Sequence, residues 1–127
     1  MRPLVYKKAK RNRTKPVVRV SVHVTKGDTV QVISGDEKGK RAKVLRVFPK
    51  TGKVVLEGLN IVKRHKRATA PGAESAIVEF PAPIHHSKMM LIDPKSNEPT
   101  RVRRRKDDDG TVERIAVKSG QSIPRNR

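Results

Sequence analysis

The chain has 127 residues and a formal net charge of +19, because 31 lysines and arginines are offset by only 12 aspartates and glutamates. A charge of this size on a chain long enough for one domain, or two very small ones, predicts a polyanionic partner. The absence of cysteine excludes disulfides, thiol catalysis and thiolate metal sites, and an aromatic content of only 2% argues against modules that stack nucleobases.

Residues 1–25 form a basic N-terminal arm without a single acidic side chain. Because like charges repel one another in a compact state, the arm is predicted to become ordered only on its polyanionic partner. One short strand over residues 17–22 is the exception that the valine pattern allows.

Short β-branched runs separated by glycine turns follow from Thr29. None has the length and the 3.6-residue period of a helix. Strands this closely spaced are predicted to curl into a small barrel, since a flat sheet would leave two open edges and one uncovered apolar face. The core is expected over residues 27–62, closed by one more strand. The predicted strands cover residues 30–33, 43–48, 53–57 and 59–62.

The loop between the first two strands contains Gly35, Gly39 and a basic run, which is typical of a phosphate-contacting loop. It does not fit the P-loop of a nucleotide hydrolase, which needs four residues between its glycines, then Lys and Ser or Thr, and then a helix. Here three residues separate the glycines, Arg41 follows Lys40, and a strand comes next. Two interpretations remain from the residues alone: a plain hairpin turn with solvated lysines, and a turn that contacts a phosphate backbone.

Residues 63–76 are predicted to be an exposed projecting loop, because a basic run is followed there by small residues, Pro71 and Gly72. Further strands are predicted over residues 75–80, 88–92, 100–105 and 111–117. The expected organisation is an all-β chain with a barrel at residues 26–80, a C-terminal β lobe at 81–118 and a polar tail at 119–127.

No spacing brings together a nucleophile, a base and a paired carboxylate, so no catalytic residue, small-molecule substrate or cofactor is expected. His85 and His86 with Asp93 are the best metal candidates, but adjacent residues on a strand point to opposite faces, so no metal site is predicted. The acidic run before Gly110 lacks the alternating ligands of a calcium loop and is predicted to be a turn. No apolar run approaches the roughly 18 residues that a membrane span needs, and a protein inside the cell is expected.

The stretch KGDTVQVISG, followed after a short spacer by KGKRAKV, resembles the KOW motif, in which a glycine matched by Gly39 lies in the turn between two strands of an SH3-like barrel. Further on, VLEGLNIVKRH, PIHHSKMMLIDPK and PTRV are similar to segments of the uL24 family of bacterial large-subunit (50S) ribosomal proteins. Ala42 stands where many relatives have glycine. The cysteine pairs that form a zinc clip in some relatives are absent, so the resemblance implies no metal.

The resemblance implies a structural protein with an SH3-like KOW barrel and a C-terminal β-meander lobe, which binds 23S rRNA early in large-subunit assembly. Its partners would be 23S rRNA, neighbouring large-subunit proteins and the nascent chain near the tunnel exit, on a cytoplasmic rather than an organellar ribosome. The residues expected to contact RNA flank turns and strand ends: Lys38, Gly39, Lys40, Arg41, Lys43, Lys63, Arg64, His65, Lys66, Arg67, Arg101, Arg103, Arg104 and Arg105. The residues expected in the tunnel-exit loop are Lys66, Arg67, Ala68, Thr69, Ala70, Pro71 and Gly72.

Two further expectations accompany this interpretation. Asp36 and Glu37 should point away from the RNA, because carboxylates repel phosphate. The alternative function is a KOW-type transcription elongation or antitermination factor that binds RNA and polymerase. Such a factor normally carries a larger α/β domain before its motif, for which residues 1–25 are too short.

Overall fold

A computed structural model describes residue 16 and residues 18–125 of the chain. The regular elements in this part of the chain are strands, apart from one 3-10 turn at His86–Lys88. In chain order the strands are β1 (Thr29–Val32), β2 (Arg41–Phe48), β3 (Lys53–Leu56), β4 (Ile61–Lys66), β5 (Ala76–Pro81), β6 (Ile84–His85), β7 (Met89–Ile92), β8 (Pro99–Thr100), β9 (Val102–Lys106) and β10 (Val112–Ala116). The all-β fold class is therefore confirmed.

Six strands form one antiparallel sheet in the order β6-β3-β2-β1-β7-β8. At its centre β2, eight residues long, pairs with β1 along its first half and with β3 along its second half. The register of β2 against β3 shifts between Val44 and Arg46, so Leu45 is an extra residue of the bulge kind. A bulge bends and twists its strand, which helps the sheet to curl into a small barrel-like fold.

The core lies on the inner face of this sheet, because buried and exposed residues alternate along the strands. Val30, Val54 and Leu56 have no exposed surface, and Met89 and Leu91 of β7 are 1% exposed. Burial of each such side chain contributes about 1.5–3 kcal/mol. The core expected over residues 27–62 is therefore only part of the observed one, which also contains Val24, Met89, Leu91, Ala116 and Ile123.

The strand expected at residues 59–62 is wrong at its start. Residues 57–60 form a turn, with Gly58 at φ 68° and Asn60 at φ 54°, and β4 begins only at Ile61. This turn carries Leu59 into the core, where the side chain is 7% exposed. A leucine that follows a glycine in a turn can reach the core without belonging to a strand, and alternation does not reveal this.

Only the end of the predicted N-terminal arm can be assessed, since residues 1–15 and 17 lie outside the described part of the chain. The short strand expected over residues 17–22 is absent from its described residues, 18–22. This segment instead lies against the β2–β3 turn, where the Val20 N–H donates to the Pro49 carbonyl at 2.8 Å.

Two hairpins lie outside the six-stranded sheet. We call β4 and β5 the projecting hairpin and β9 and β10 the C-terminal hairpin. The projecting hairpin corrects the loop expected at residues 63–76, because residues 63–66 belong to β4 and only residues 67–75 connect the strands. The base of this hairpin is held by the Ala82 N–H, which donates to the Asn60 carbonyl at 2.8 Å.

The C-terminal hairpin is joined to the barrel by a buried ion pair. Arg114 of β10 donates from both terminal guanidinium nitrogens to the Asp28 carboxylate, at 2.6 and 3.0 Å, and also to the Pro124 carbonyl at 2.6 Å. The side chains of Arg114 and Asp28 are 3% and 2% exposed. The same carboxylate accepts the Thr25 N–H at 2.7 Å, so the loop before β1, β10 and the C-terminal segment meet at one carboxylate.

The six-stranded sheet contains strands from both sides of residues 80–81, where the sequence predicts the boundary between the barrel and the C-terminal lobe. Strands β6 and β7 follow that limit, yet they pair with β3 and β1 of the barrel. The domain limits themselves stay a prediction.

Candidate nucleic-acid interface

The turn between β1 and β2 is built around two glycines in the left-handed region, Gly35 at φ 97° and Gly39 at φ 87°. The Gly39 N–H donates to the Val32 carbonyl at 2.8 Å and closes the turn. No atom lies within 4 Å of the position that a Cβ would occupy on Gly39. Glycine is therefore favoured here because the backbone has a positive φ, and not because a side chain would clash. The turn presents Lys38 and Lys40 at an exposed tip.

The two lysines of this turn differ in their partners. Lys40 forms an ion pair with Glu37, whereas Lys38 has no ion-pair partner among the described residues. The hydrogen bond from Lys40 lowers the pKa of the Glu37 carboxyl below its ordinary value, and a backbone hydrogen bond at Asn60 acts in the same direction. Of these two lysines, Lys38 is therefore the one whose charge is not compensated by a carboxylate of the described residues.

Arg41 and Lys43 lie on the outer face of β2, since the residues between and after them are buried. The Arg41 guanidinium is fixed by two hydrogen bonds, to Gln31 Oε1 at 3.3 Å and to the Asn97 carbonyl at 2.8 Å. Neither hydrogen bond neutralises the charge of Arg41. The outer face of β2 thus continues the positive surface of the β1–β2 turn along the strand.

The projecting hairpin exposes every residue of β4. Alternation along paired strands places Lys63 and His65 on one face of the hairpin and Arg64 and Lys66 on the other. Lys63 is paired with Glu79 at 3.1 Å, but Arg64 and Lys66 lie opposite Val78 and Ala76. The face with Arg64 and Lys66 is therefore the more positive of the two. Residues 67–75, with Gly72 at φ 89°, form its exposed tip.

The arginines of the C-terminal hairpin also differ in their partners. Arg105 contacts two carboxylates, Asp107 at 3.1 Å and Glu113 at 3.9 Å. Arg104 donates to the Ser21 hydroxyl at 3.4 Å, and Arg103 is exposed without an ion pair in the described part of the chain. Among the three arginines of β9, Arg105 is thus the one whose charge is already compensated.

The structure places the residues predicted to contact RNA in the β1–β2 turn and β2, in the projecting hairpin and in the C-terminal hairpin, except Arg101, which lies between β8 and β9. Three of them, Lys40, Lys63 and Arg105, are in ion pairs. Ion pairing does not prevent phosphate binding, but it makes each of these cations a weaker contributor, because the carboxylate must be displaced or tolerated. Their contact with RNA stays a prediction.

Sequence reasoning missed a further basic surface at the far end of β2. Arg19, Arg46 and Lys50 line one surface groove together with Phe48. Phe48 looks like an isolated aromatic residue in the sequence, and only the shifted register at Leu45 shows that Arg46 and Phe48 are neighbours on the outer face. The available signal was the spacing of two between a cation and an aromatic residue in a strand.

The imidazole rings of His85 and His86 lie together, contrary to the expectation that they point to opposite faces of a strand. His85 ends β6 and His86 begins the 3-10 turn, so their rings do not point to opposite faces but lie 4.6 Å apart. His23 approaches them, with its Nδ1 at 3.4 Å from Nδ1 of His86. Burial lowers the pKa of His86, and the neighbouring imidazoles of His85 and His23 lower it further.

No group of three or more His, Cys, Asp or Glu side chains that could hold a metal ion occurs in the described part of the chain. In the same part of the chain, no helix is long and apolar enough to cross a membrane.

Comparison with known proteins agrees with the order of the motifs. Residues 26–57 match the KOW motif, and residues 59–123 match the model of the C-terminal domain of large ribosomal subunit protein uL24. Similar curated proteins are each described as large ribosomal subunit protein uL24. The protein from Macrococcus caseolyticus is 50% identical over 102 residues, covering 80% of this chain and 99% of its own length.

Two further relatives extend the comparison. The protein from Staphylococcus aureus strain JH9 is 50% identical over 105 residues, covering 83% of this chain and 99% of its own length. That from Amoebophilus asiaticus is 43% identical over 104 residues, covering 82% and 90%. None of these matches supports the transcription-factor alternative.

Proposed function

This chain belongs to the uL24 family of large ribosomal subunit proteins, and we propose that it binds 23S rRNA through the cations of the β1–β2 turn, the projecting hairpin and the C-terminal hairpin. It is a structural constituent of the large ribosomal subunit and not an enzyme. Its partners are therefore the RNA and proteins of the ribosome. The proposal concerns which residues make the contacts.

The observation that carries the proposal is the distribution of unpaired charge. The chain has a net charge of +19, and its described ion pairs neutralise few of its cations. Unpaired cations lie in the β1–β2 turn, on the outer face of β2 and on the two hairpins outside the six-stranded sheet, where a phosphate backbone can approach without meeting the body of the barrel. Lys38, Lys43, Arg64, Lys66 and Arg103 are the strongest candidates.

We infer a separate role for the tip of the projecting hairpin. Residues 66–72, KRATAPG, are basic at the start and then small and uncharged, and all of them are exposed. Because β4 and β5 lie outside the six-stranded sheet, the tip of the projecting hairpin can reach beyond the residues at its base that are proposed to contact RNA. This supports a position at the exit of the nascent-chain tunnel, with rRNA contacts at the base of the hairpin and polypeptide near its tip. Binding early in assembly, on a bacterial cytoplasmic ribosome, belongs to the same proposal.

The salt dependence of binding tests the rRNA contacts. If about eight phosphates are neutralised, the affinity for 23S rRNA should fall by about 10³–10⁵ between 50 and 200 mM salt. Filter binding or fluorescence anisotropy with transcribed 23S rRNA measures this slope. A slope near zero would remove the electrostatic model.

Crosslinking in cells tests the identity of the RNA. Sequencing of the RNA fragments bound to the tagged chain should give mainly 23S rRNA. Reads dominated by messenger RNA would contradict the ribosomal proposal, and binding in vitro would then reflect charge alone.

A further inference from the structure

We propose that Arg46, Phe48, Lys50 and Arg19 form a further binding site for an RNA phosphate at the far end of β2. We call these four residues the Arg46 cluster. The inference rests on the proposed binding of 23S rRNA and adds a contact surface at the end of β2 that lies away from the β1–β2 turn.

The fold assembles this cluster from two segments. The register shift at Leu45 leaves Val47 pointing inward beside Val54, and therefore places Arg46 and Phe48 together on the outer face of β2. The hydrogen bond from the Val20 N–H to the Pro49 carbonyl holds the preceding segment against the β2–β3 turn. Arg19 is thereby brought into the groove that Arg46, Phe48 and Lys50 line.

The Arg46 guanidinium is positioned rather than free. Its Cζ lies 4.8 Å from the centroid of the Phe48 ring, within the range of a cation–π contact. The Phe48 ring contacts one face of the Arg46 guanidinium and leaves the N–H donors of the guanidinium available. An arginine arranged in this way loses less side-chain entropy when its planar donors bind a phosphate, and two of those donors can bind one phosphate together.

The charge of the cluster is not compensated by any carboxylate of the described residues. No carboxylate lies within ion-pair distance of Arg46, Lys50 or Arg19 in residues 18–125. Three cations around one groove repel one another, and a phosphate relieves this repulsion. The backbone of RNA is the anion that the ribosomal context supplies, and an acidic protein surface is the competing occupant.

The cluster also extends the footprint of the proposed interface. Strand β2 runs for eight residues from Arg41 to Phe48, so its two ends are about 20 Å apart. Phosphate contacts at the β1–β2 turn and at the Arg46 cluster would therefore engage RNA at both ends of the central strand. Two separated contacts fix the orientation of the barrel on RNA, which a single turn does not.

The test compares variants of the full chain in binding to transcribed 23S rRNA across a salt series. Arg46→Ala should weaken binding about tenfold and reduce the slope of log affinity against log salt by about one. Arg46→Lys keeps the charge but loses the planar donors, so it should retain the slope and lose part of the affinity. Phe48→Leu keeps an apolar side chain of similar size and should weaken binding less than Arg46→Ala, since the charge remains.

Lys118→Ala is the matched control, because it removes the same formal charge from an exposed lysine that is already paired with Glu98 at 2.8 Å. Far-UV circular dichroism and thermal melting of each variant establish that it is folded. Equal affinity and slope for Arg46→Ala and Lys118→Ala would overturn the cluster as an RNA site and favour the acidic protein surface. A flat salt slope for the unmodified chain would instead overturn the proposed function, and this inference with it.

Discussion

The projecting hairpin and the C-terminal hairpin are two basic β-hairpins of similar length that differ in how they are attached. The C-terminal hairpin packs against the barrel, whereas the projecting hairpin is exposed. The strands of the projecting hairpin have six residues each and those of the C-terminal hairpin have five. β4 buries no residue at all, whereas β10 buries Arg114 and Ala116 at 3% and 0% exposure.

This difference follows from what each hairpin offers to the barrel. The inward-facing positions of the C-terminal hairpin carry Ala116, which is small and apolar, and Arg114, which pairs with the buried Asp28 carboxylate. The projecting hairpin instead has Ile61, Val62, Ile77, Val78 and Phe80 between 37% and 62% exposed, so these apolar side chains are not part of the core. An isolated two-stranded hairpin is marginally stable in water. The projecting hairpin is therefore expected to gain its rigidity from the ribosome, while the C-terminal hairpin brings its own.

The largest expected effect is on the anchor of the C-terminal hairpin. Arg114→Met should lower the free energy of unfolding by about 3–5 kcal/mol, because it leaves the Asp28 carboxylate buried without its counter-ion. Chemical denaturation measures the change. Arg64→Met, in the exposed strand of the other hairpin, is the matched control and should change stability by less than about 0.5 kcal/mol.

A double variant separates the lost ion pair from lost packing. Asp28→Asn combined with Arg114→Met leaves no buried charge and should be less destabilised than Arg114→Met alone. If Arg114→Met unfolds at the same denaturant concentration as the unmodified chain, the two hairpins do not differ in their attachment.

The contrast between the hairpins also shows what the sequence can predict. The barrel strands and the β1–β2 turn were predictable because their information is local: a period of two, and glycines where φ must be positive. Arg114 was not recognised, because its partner Asp28 lies 86 residues away and nothing nearby distinguishes it from the exposed arginines of β9. Leu59 and the register shift at Leu45 were missed for the same reason, since tertiary contacts decide whether a residue follows the alternation.

A deletion of the projecting hairpin gives the next largest effect. Residues 62–80 can be replaced by Asn-Gly, because Ile61 and Pro81 are paired across the ladder and a two-residue turn can join them. The affinity for 23S rRNA should fall about a hundredfold, with the loss of two or three phosphate contacts at about 1 kcal/mol each. Thermal melting should change little, since the removed residues bury almost nothing. A large drop in melting temperature would mean that this hairpin, too, is part of the folded body.

Single cations sharpen the comparison within each hairpin. Arg64→Ala and Arg103→Ala remove unpaired charges and should each weaken rRNA binding about five- to tenfold. Lys63→Ala and Arg105→Ala remove cations already paired with Glu79 and with Asp107, so they should weaken it by about twofold or less. Binding assays at one fixed salt concentration measure all four. Equal losses would show that internal ion pairs open when RNA binds.

The smallest expected effect is a pH dependence in the attachment of the C-terminal hairpin. Glu98, before β8, receives a hydrogen bond from Lys118, after β10, and this contact lowers the pKa of the Glu98 carboxyl below its ordinary value of 4.5. A lowered folded-state pKa contributes stability above the unfolded-state pKa, and that stability is lost as the pH falls through the folded-state value. The melting temperature of Glu98→Gln should therefore lie slightly below that of the unmodified chain at pH 7 and converge with it once the pH falls below the lowered folded-state pKa of Glu98. Glu79→Gln removes the corresponding carboxylate of the projecting hairpin and should leave the melting temperature unchanged throughout, because a hairpin that buries no part of β4 does not contribute to global unfolding. A shift for Glu79→Gln as large as that for Glu98→Gln would argue that both hairpins unfold with the barrel.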